Sequence, residues 1–292
     1  MSSAIASGRV VVTGLGGANT ARTRLLRAGD IEFAYRTFGA DSDVPIVLLA
    51  RFRATMDEWD PAFLDALAAE RRVVIFDNAG VGRSSGESPA SIAGMAEHAA
   101  AFVRALGYSL VDLLGWSMGG AVAQSLALQH PELVRGLVVA GSGPGGVPGA
   151  PPMSERVRET VAKPVNSDDD FLYLFFDGSD ERRAAGLEHL RRLHRRVEPD
   201  GPPTRMQTVQ AMGRALVGWS AGGEGVYSRL HEIRQPVLVA TGAHDVMIPA
   251  YNSYAMIERL PNAELVIYSD AGHGFLFQHA ERFGTRVLRF LG

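Results

Sequence analysis

The sequence predicts an α/β protein, in which a mostly parallel sheet carries helices on both of its faces. Apolar runs of strand length alternate with segments of helical periodicity along most of the 292 residues, and this alternation is typical of such sheets. Several runs are apolar throughout, such as Pro45–Leu49, as expected for strands buried on both faces. Ligands bind beyond the carboxyl ends of these strands, so we look for candidate chemistry in the loops that follow them.

Strands and helices can be placed from their periodicity. Eight segments have strand patterns: Arg24–Ala28, Ile31–Phe38, Pro45–Leu49, Arg72–Phe76, Leu110–Leu114, Val134–Ala140, Pro236–Ala240 and Ala263–Tyr268. The first two flank Gly29-Asp30, a turn dipeptide that predicts a hairpin. Five segments between the strands have helical patterns: Phe63–Ala69, Ile92–Leu106, Met118–Gln129, Ser253–Leu260 and Arg282–Leu291.

One long stretch, residues 147–229, interrupts the alternation. It opens on several prolines, contains the apolar run Phe171–Phe176, and continues into arginine-rich helical segments without any buried-strand pattern. We therefore predict a helical cap inserted into a discontinuous core of residues 22–146 and 230–292. Residues 1–21 are small and polar around a short valine run, and we expect a loosely ordered tail there.

Composition and charge exclude several classes of function. The net charge of −3 gives no electrostatic reason to expect a nucleic-acid or membrane partner. The absence of cysteine excludes disulfides, thiolate metal sites and a thiol nucleophile. Arginine supplies 28 of the 29 basic residues, which we interpret as the coding bias of a GC-rich bacterial genome. No run reaches the roughly 18 apolar residues of a membrane span and no secretory signal is visible, so we expect a cytoplasmic protein.

Two segments match the nucleophile pattern G-x-S-x-G, namely Gly115–Gly119 and Gly218–Gly222. The motif requires a strand that enters, a sharp turn at the serine and a helix that leaves. The first match has a buried strand before it and a helical pattern after it. The second follows a helical segment and precedes Gly223-Glu224-Gly225, which is a poor helix start. We therefore take Ser117 as the candidate nucleophile and Ser220 as a loop serine at the end of the insertion.

In this setting Gly115–Gly120 resembles the nucleophile elbow of the α/β-hydrolase fold, and the resemblance covers residues 22–292 with the insertion in the usual cap position. It implies that an acid and a histidine follow later in the chain. Thr241–Pro249 is similar to the family's G-x-x-D-x-x-x-P loop, which points to Asp245 as the acid. Asp270–Phe275 is similar to its G-H loop, which points to His273, while Asp270 stays open as an alternative acid.

These residue types suit covalent acyl transfer. A serine hydroxyl is a poor nucleophile until a base takes its proton, and histidine has a suitable pKa near neutrality. A carboxylate on the other ring nitrogen fixes the tautomer and stabilises the imidazolium. We expect neither a metal ion nor a cofactor, and a small-molecule acyl substrate is the only partner we expect; the oligomeric state stays open.

The developing oxyanion needs two backbone N–H donors. By position, the resemblance assigns these to Met118, after the nucleophile, and to Phe52, in the loop after Pro45–Leu49. The family's loop usually reads H-G-x, but here Ala50 and Arg51 replace the His and the Gly, which restricts the backbone. Arg51 or Arg53 either projects into the site, favouring a substrate with a carboxylate, or pairs structurally with Asp57 or Asp60.

The cap is expected to cover the site. Five side chains are predicted to form the substrate pocket: Arg51, Trp116, Phe171, Phe175 and Trp219. The predicted function is a serine hydrolase that cleaves a carboxylic ester or a related acyl bond (lactone, thioester) of a small apolar substrate through an acyl-enzyme on Ser117. The alternatives are a cofactor-free perhydrolase of the haloperoxidase-like kind, a C–C bond hydrolase that uses the same triad, and a ligand-binding member of the fold without activity.

Overall fold

The computed structural model describes residues 17–292, and a mostly parallel eight-stranded sheet lies at its centre. The strands are β1 (Arg24–Ala28), β2 (Ile31–Gly39), β3 (Ile46–Leu49), β4 (Arg72–Phe76), β5 (Val111–Trp116), β6 (Val134–Ala140), β7 (Val237–Gly242) and β8 (Ala263–Tyr268). Their order across the sheet is β1-β2-β4-β3-β5-β6-β7-β8. β2 pairs antiparallel with both β1 and β4, and every other pair is parallel. The predicted fold class is confirmed.

Burial of the central strands explains their apolar sequences. β3, β4, β5 and β7 are buried at every residue, because helices cover both faces of the sheet. Successive side chains of a strand point to opposite faces, so Ile46 and Leu48 belong to one core and Val47 and Leu49 to the other. β5 continues two residues beyond the predicted end at Leu114, to Trp116.

The helices, in chain order, are α1 (Pro61–Ala68), α2 (Ile92–Ala105), α3 (Met118–Gln129), α4 (Glu155–Ala162), α5 (Asp168–Phe176), α6 (Asp180–Leu193), α7 (Met206–Ser220), α8 (Tyr251–Ile257), α9 (Phe275–Gln278) and α10 (Ala280–Leu291). α2 packs against α3, and α1 packs against α10. α3 is buried at ten of its twelve residues, so its position is fixed on all sides. None of the helices in residues 17–292 is both long and apolar enough to cross a membrane.

Four α-helices, one short 3-10 helix (Tyr227–Glu232) and no strand lie between β6 and β7. This is the region of the predicted cap, residues 147–229. The apolar run Phe171–Phe176 lies in α5, where Leu172, Leu174, Phe175 and Phe176 are buried.

The expected N-terminal tail, residues 1–21, is only partly within the described chain, since residues 1–16 lie outside it. The expectation does not hold for residues 17–21. Ala18 and Ala21 are buried, and the N–H of Ala18 donates to Asp65 Oδ1 at 2.7 Å. This contact with α1 fixes the segment against the core.

Candidate active site

Ser117 lies in a sharp turn between β5 and α3. Its φ is 56° and its ψ is −121°. Within residues 17–292, Ser117 and Arg53 are the only residues other than glycine that have a positive φ. Such a backbone costs on the order of 1–3 kcal/mol and persists only where the surroundings hold it. Here the N–H of Ser117 donates to the carbonyl of Ala140, at the end of β6, at 2.9 Å. The strand, turn and helix that the motif requires are all present.

The glycines of the motif are required by crowding of the backbone. A Cβ on Gly119 would lie 1.9 Å from the carbonyl oxygen of Leu49, and a Cβ on Gly115 would lie 2.2 Å from that of Gly119. Neither position has room for a side chain. The second G-x-S-x-G match lies elsewhere in the fold, because Ser220 is the last residue of α7. Ser220 therefore ends a helix, whereas the sequence predicts that it lies in a loop.

Asp245 and His273 form a buried pair in the loops after β7 and β8. His273 Nδ1 lies 2.6 Å from Asp245 Oδ2, and both side chains are fully buried. The other carboxylate oxygen accepts from the N–H groups of Met247 at 2.9 Å and Ile248 at 2.8 Å, which fixes its orientation. An ionised Asp245 accepts from Nδ1–H of the ring, and Nε2 is then the free lone pair. Nε2 is buried and has no hydrogen-bond partner in residues 17–292.

His273 lies against the residue that precedes Ser117. Its ring centroid is 5.6 Å from that of Trp116, and Trp116 Nε1 donates to the carbonyl of His273 at 3.2 Å. Gly141, which follows β6, packs on the same imidazole, since a Cβ there would lie 3.3 Å from two ring atoms. The structure therefore brings Ser117, Asp245 and His273 to one edge of the sheet, at the carboxyl ends of β5, β7 and β8.

Asp270, the alternative acid, is engaged elsewhere. Its Oδ1 lies 2.9 Å from His279 Nε2, and 62% of its side chain is exposed. His273 takes its carboxylate partner from Asp245. The geometry therefore favours Asp245 over Asp270 as the group that orients the imidazole.

The residues of the two predicted oxyanion donors line the same cavity as Ser117. Met118 begins α3, and the first N–H groups of a helix have no partner within the helix. Phe52 is half-buried in the loop after β3 and lines the same cavity as Ser117 and Met118. The left-handed residue of this loop is Arg53, with φ of 67°, and not Arg51 at the family's glycine position.

Contacts with the insertion hold this loop in place. The guanidinium of Arg53 donates to the carbonyl of Lys163 at 2.7 Å, just beyond α4, and also to that of Pro164. The backbone carbonyl of Arg53 accepts from Thr204 Oγ1 at 2.7 Å. Arg53 is thus bound through both its side chain and its backbone to the chain between β6 and β7.

Of the two alternatives for Arg51 and Arg53, the pairing with Asp57 or Asp60 is contradicted by the structure. Arg51 forms its ion pair with Glu58. Asp57 is already paired with Arg36 and Arg196, and Asp60 with Arg192 and His189, so neither carboxylate is available to the loop.

A cavity of about 350 Å³ opens beside Ser117. Its walls include Phe52, Met118 and, as predicted, Trp219. Sequence reasoning missed several other lining residues, which come from the loop after β6, from α7, from the loop after β7 and from α8: Val147, Pro151, Pro152, Met153, Leu216, Met247 and Asn252. The prolines at the start of the insertion could have indicated these residues. Proline restricts the backbone, so a proline-rich segment beside a predicted site forms a rigid part of its lining.

Four of the five side chains predicted for the pocket do not line this cavity but pack together behind His273. The ring of Phe175 lies 5.5 Å from Trp116 and 5.4 Å from His273, and Phe171 stacks on Phe175 at 4.3 Å. The guanidinium of Arg51 lies 5.1 Å from the centre of the Phe175 ring. Phe171 and Phe175 are four residues apart on α5, so they share one face of that helix, and that face covers the imidazole.

No group of three or more His, Asp or Glu side chains in the described part of the chain is arranged to hold a metal ion. The candidate site itself consists of a serine with a strained backbone, a buried Asp–His pair and backbone N–H groups, beside a largely apolar cavity.

Comparison with known proteins gives consistent matches. The family model for the alpha/beta hydrolase fold matches residues 44–280. A poly(3-hydroxyalkanoate) depolymerase of Ectopseudomonas oleovorans is 32% identical over 244 residues, 78% of each chain. The "Putative carbamate hydrolase RutD" of Caulobacter sp. (strain K31) is 30% identical over 280 residues, 91% of this chain and 98% of that protein. The solved structure of an α/β-hydrolase fold protein from Chitinophaga pinensis is 33% identical with a TM-score of 0.87, covering 94% of this chain and 99% of its own.

These matches extend over most of the chain, and the structural match agrees with the overall fold. The chain belongs to the α/β-hydrolase family.

Proposed function

We propose that the protein is a serine hydrolase that cleaves a carboxylic ester, or a related acyl bond, of a small and largely apolar substrate. The observation that carries this proposal is the buried Asp245–His273 pair, with a partnerless Nε2, beside the strained turn at Ser117. A buried imidazole that is oriented by a carboxylate and otherwise unbound is the arrangement a general base requires.

In the proposed mechanism, His273 Nε2 takes the proton of the Ser117 hydroxyl as Oγ attacks the acyl carbon. The N–H groups of Met118 and Phe52 stabilise the oxyanion of the tetrahedral intermediate. The imidazolium then gives its proton to the departing alkoxide, and an acyl-enzyme on Ser117 remains. A water molecule that gives a proton to the same imidazole hydrolyses the acyl-enzyme, which releases the acid and restores the hydroxyl.

The cavity supports the choice of substrate. A volume of about 350 Å³ is at the small end of the range for ligand pockets. The walls are mostly apolar, with Phe52, Met118 and Trp219 among them, so a short acyl chain fits better than a polymer strand. Esters and carbamates both present an acyl carbon to the serine, and the name of the Caulobacter relative makes a carbamate a useful second substrate to assay.

The test uses a fluorophosphonate probe together with p-nitrophenyl esters of short-chain acids. We expect the wild type to be labelled and to hydrolyse the esters, and Ser117→Ala to lose both. Ser220→Ala is the matched control, because Ser220 occupies the other G-x-S-x-G match and lines the same cavity. Labelling that persists in Ser117→Ala and disappears in Ser220→Ala would overturn the assignment of the nucleophile. A folded wild type that neither labels nor hydrolyses would support a ligand-binding role instead.

A further inference from the structure

A second cavity, of about 310 Å³, lies next to the one beside Ser117. Phe52, Met153 and Val161 line both cavities. Because the same three side chains face both spaces, no more than one layer of side chains separates them. When the acyl carbon of a substrate lies at Ser117, a longer acyl chain therefore extends into the second cavity.

The second cavity is lined by three cationic side chains and by no acidic one. These are Arg53, Arg158 and Lys163. Lys163 is neutralised by Asp170, at 2.6 Å. Within residues 17–292 neither Arg53 nor Arg158 forms an ion pair, and both guanidinium groups donate to backbone carbonyls.

Backbone carbonyls hold these guanidinium groups without neutralising them. The carbonyls that bind Arg53 belong to Lys163 and Pro164, just beyond α4, and the end of a helix carries only about half a negative charge. The negative charge of Glu58 acts on Arg53, but Glu58 is itself bound by Arg51. The cavity therefore keeps a net positive charge that is fixed in position.

The rest of the wall suits an aliphatic chain. Met206 and Val209 of α7 and Val161 and Ala162 of α4 contribute apolar lining to the cavity. An apolar channel with positive charge on its walls matches an acyl chain with an anionic end. A guanidinium group binds a carboxylate through parallel hydrogen bonds, so a carboxylate suits these walls.

We propose that the second cavity binds a carboxylate at the far end of the acyl chain. The substrate class is then an ester of a dicarboxylic acid, with one carboxyl esterified and attacked by Ser117 and the other free. This inference rests on the proposed function and specifies its substrate.

The test compares p-nitrophenyl esters in matched pairs of equal chain length, one ending in a methyl group and one in a carboxylate. At the best length and at low ionic strength, we expect kcat/KM to be at least about tenfold higher for the carboxylate ester, as for one hydrogen bond to a charged group. Arg158→Gln should reduce this ratio to near one, and added salt should lower it in the wild type. Arg156→Gln is the control, because Arg156 stacks on Tyr173 at 3.8 Å and does not line the cavity.

A wild-type ratio near one at every chain length would overturn the inference, and so would an equal loss in Arg156→Gln. If the wild type hydrolyses neither ester, the proposed function fails, and calorimetry then tests the cavity alone. We expect a free dicarboxylate to bind the wild type at least about tenfold more tightly than the monocarboxylate of equal length, through the same charged contact. Equal affinities, or no loss of this difference in Arg158→Gln, would contradict the carboxylate site.

Discussion

Ser117 and Arg53 both have a positive φ, and each precedes or follows a candidate oxyanion donor in the chain. Each has positive φ without being glycine, and each strain costs on the order of 1–3 kcal/mol. The strain at Ser117 is held by the close packing of Gly119 on the carbonyl of Leu49. The strain at Arg53 is held by its hydrogen bonds to Lys163 and Thr204. The core therefore fixes the backbone next to the donor Met118, and the chain between β6 and β7 fixes the backbone next to the donor Phe52.

Asp245 should matter far more than Asp270 for turnover. Asp245→Asn keeps the size of the side chain but no longer favours the Nδ1–H tautomer of His273, so we expect kcat for a p-nitrophenyl ester to fall by on the order of 10⁴. Asp270→Asn should leave kcat unchanged, because its partner is the partly exposed His279. Steady-state kinetics of both variants, with circular dichroism as the check on folding, decides the matter. A large loss in Asp270→Asn with an active Asp245→Asn would reverse the assignment.

Residues of the candidate site were predictable where a short local motif carries them. Ser117, Asp245 and His273 each lie in a loop whose glycine or proline pattern is visible in the sequence. Phe171 and Phe175 were expected in the pocket, but Phe175 packs on His273 and Phe171 stacks on Phe175 instead. Their aromatic character was visible, but the surface against which α5 packs depends on contacts distant in the sequence, which no local pattern contains.

At the scale of elements, α6 is joined to the core by a buried polar cluster. Asp60 caps α1 through the N–H of Ala62, and its carboxylate also binds His189 Nδ1 at 2.8 Å and Arg192 Nη2 at 2.5 Å. Burial opposes ionisation of Asp60, but hydrogen bonds from His189 and Arg192 outweigh it and lower its pKa. Burial lowers the pKa of His189 despite its carboxylate partner, so Arg192 supplies the charge that balances Asp60.

Removing that charge should destabilise the protein. We expect Arg192→Ala to lower the free energy of unfolding by about 3 kcal/mol, because it leaves Asp60 ionised in a buried site without a cation. Arg191→Ala is the matched control, since Arg191 is the preceding residue of α6, is 67% exposed and, among residues 17–292, pairs only with Glu188. The control should change stability by about 0.5 kcal/mol or less. Urea unfolding measures both, and equal losses would show that Asp60 does not depend on Arg192.

Helices of the core were more predictable than those of the insertion. The bounds of α3, Met118–Gln129, agree with the prediction because apolar periodicity and the elbow define both ends. The sequence also contains a helix-start pattern for α5, which the prediction did not include. Ser167 and Asp170 form a capping box, in which each side chain accepts from the backbone N–H of the other, and this spacing is a recognised helix start. The long apolar run obscured it, because such a run has no helical period.

At the scale of the whole molecule, the alternation of elements predicts the sheet but not its order. The central strands are apolar because they are buried on both faces. Their apolar sequences identify them as strands, but those sequences are too similar to show which strands are neighbours. Nothing in the sequence of β3 shows that it lies between β4 and β5. That order comes from the packing of helices on both faces. Parallel strands joined by helical crossovers nevertheless bring their carboxyl ends to one edge, which is why loops distant in sequence converge at Ser117.

The stability of the whole fold should depend on the protonation of Asp77. This carboxylate follows β4, is 1% exposed, and accepts from the N–H groups of Met56 at 2.7 Å and Arg83 at 3.0 Å. Burial, and to a lesser extent the charge of Asp57, raise its pKa from 3.8 to about 6. The folded state therefore binds this proton more tightly than the unfolded chain does. The stabilisation is fully present below the ordinary pKa and is lost as the pH rises through about 6.

Between about pH 7.5 and about pH 5, this single group should raise the free energy of unfolding by about 1 kcal/mol. Asp77→Asn has nearly the same shape but no titrating group. Urea unfolding of the wild type and of this variant at both pH values isolates the effect, because every other titrating group is common to the two proteins. We expect the stability of the wild type relative to the variant to increase by about 1 kcal/mol on acidification. Parallel pH profiles would mean that Asp77 titrates alike in the folded and unfolded chains, and a relative decrease would mean that its pKa is lowered by folding.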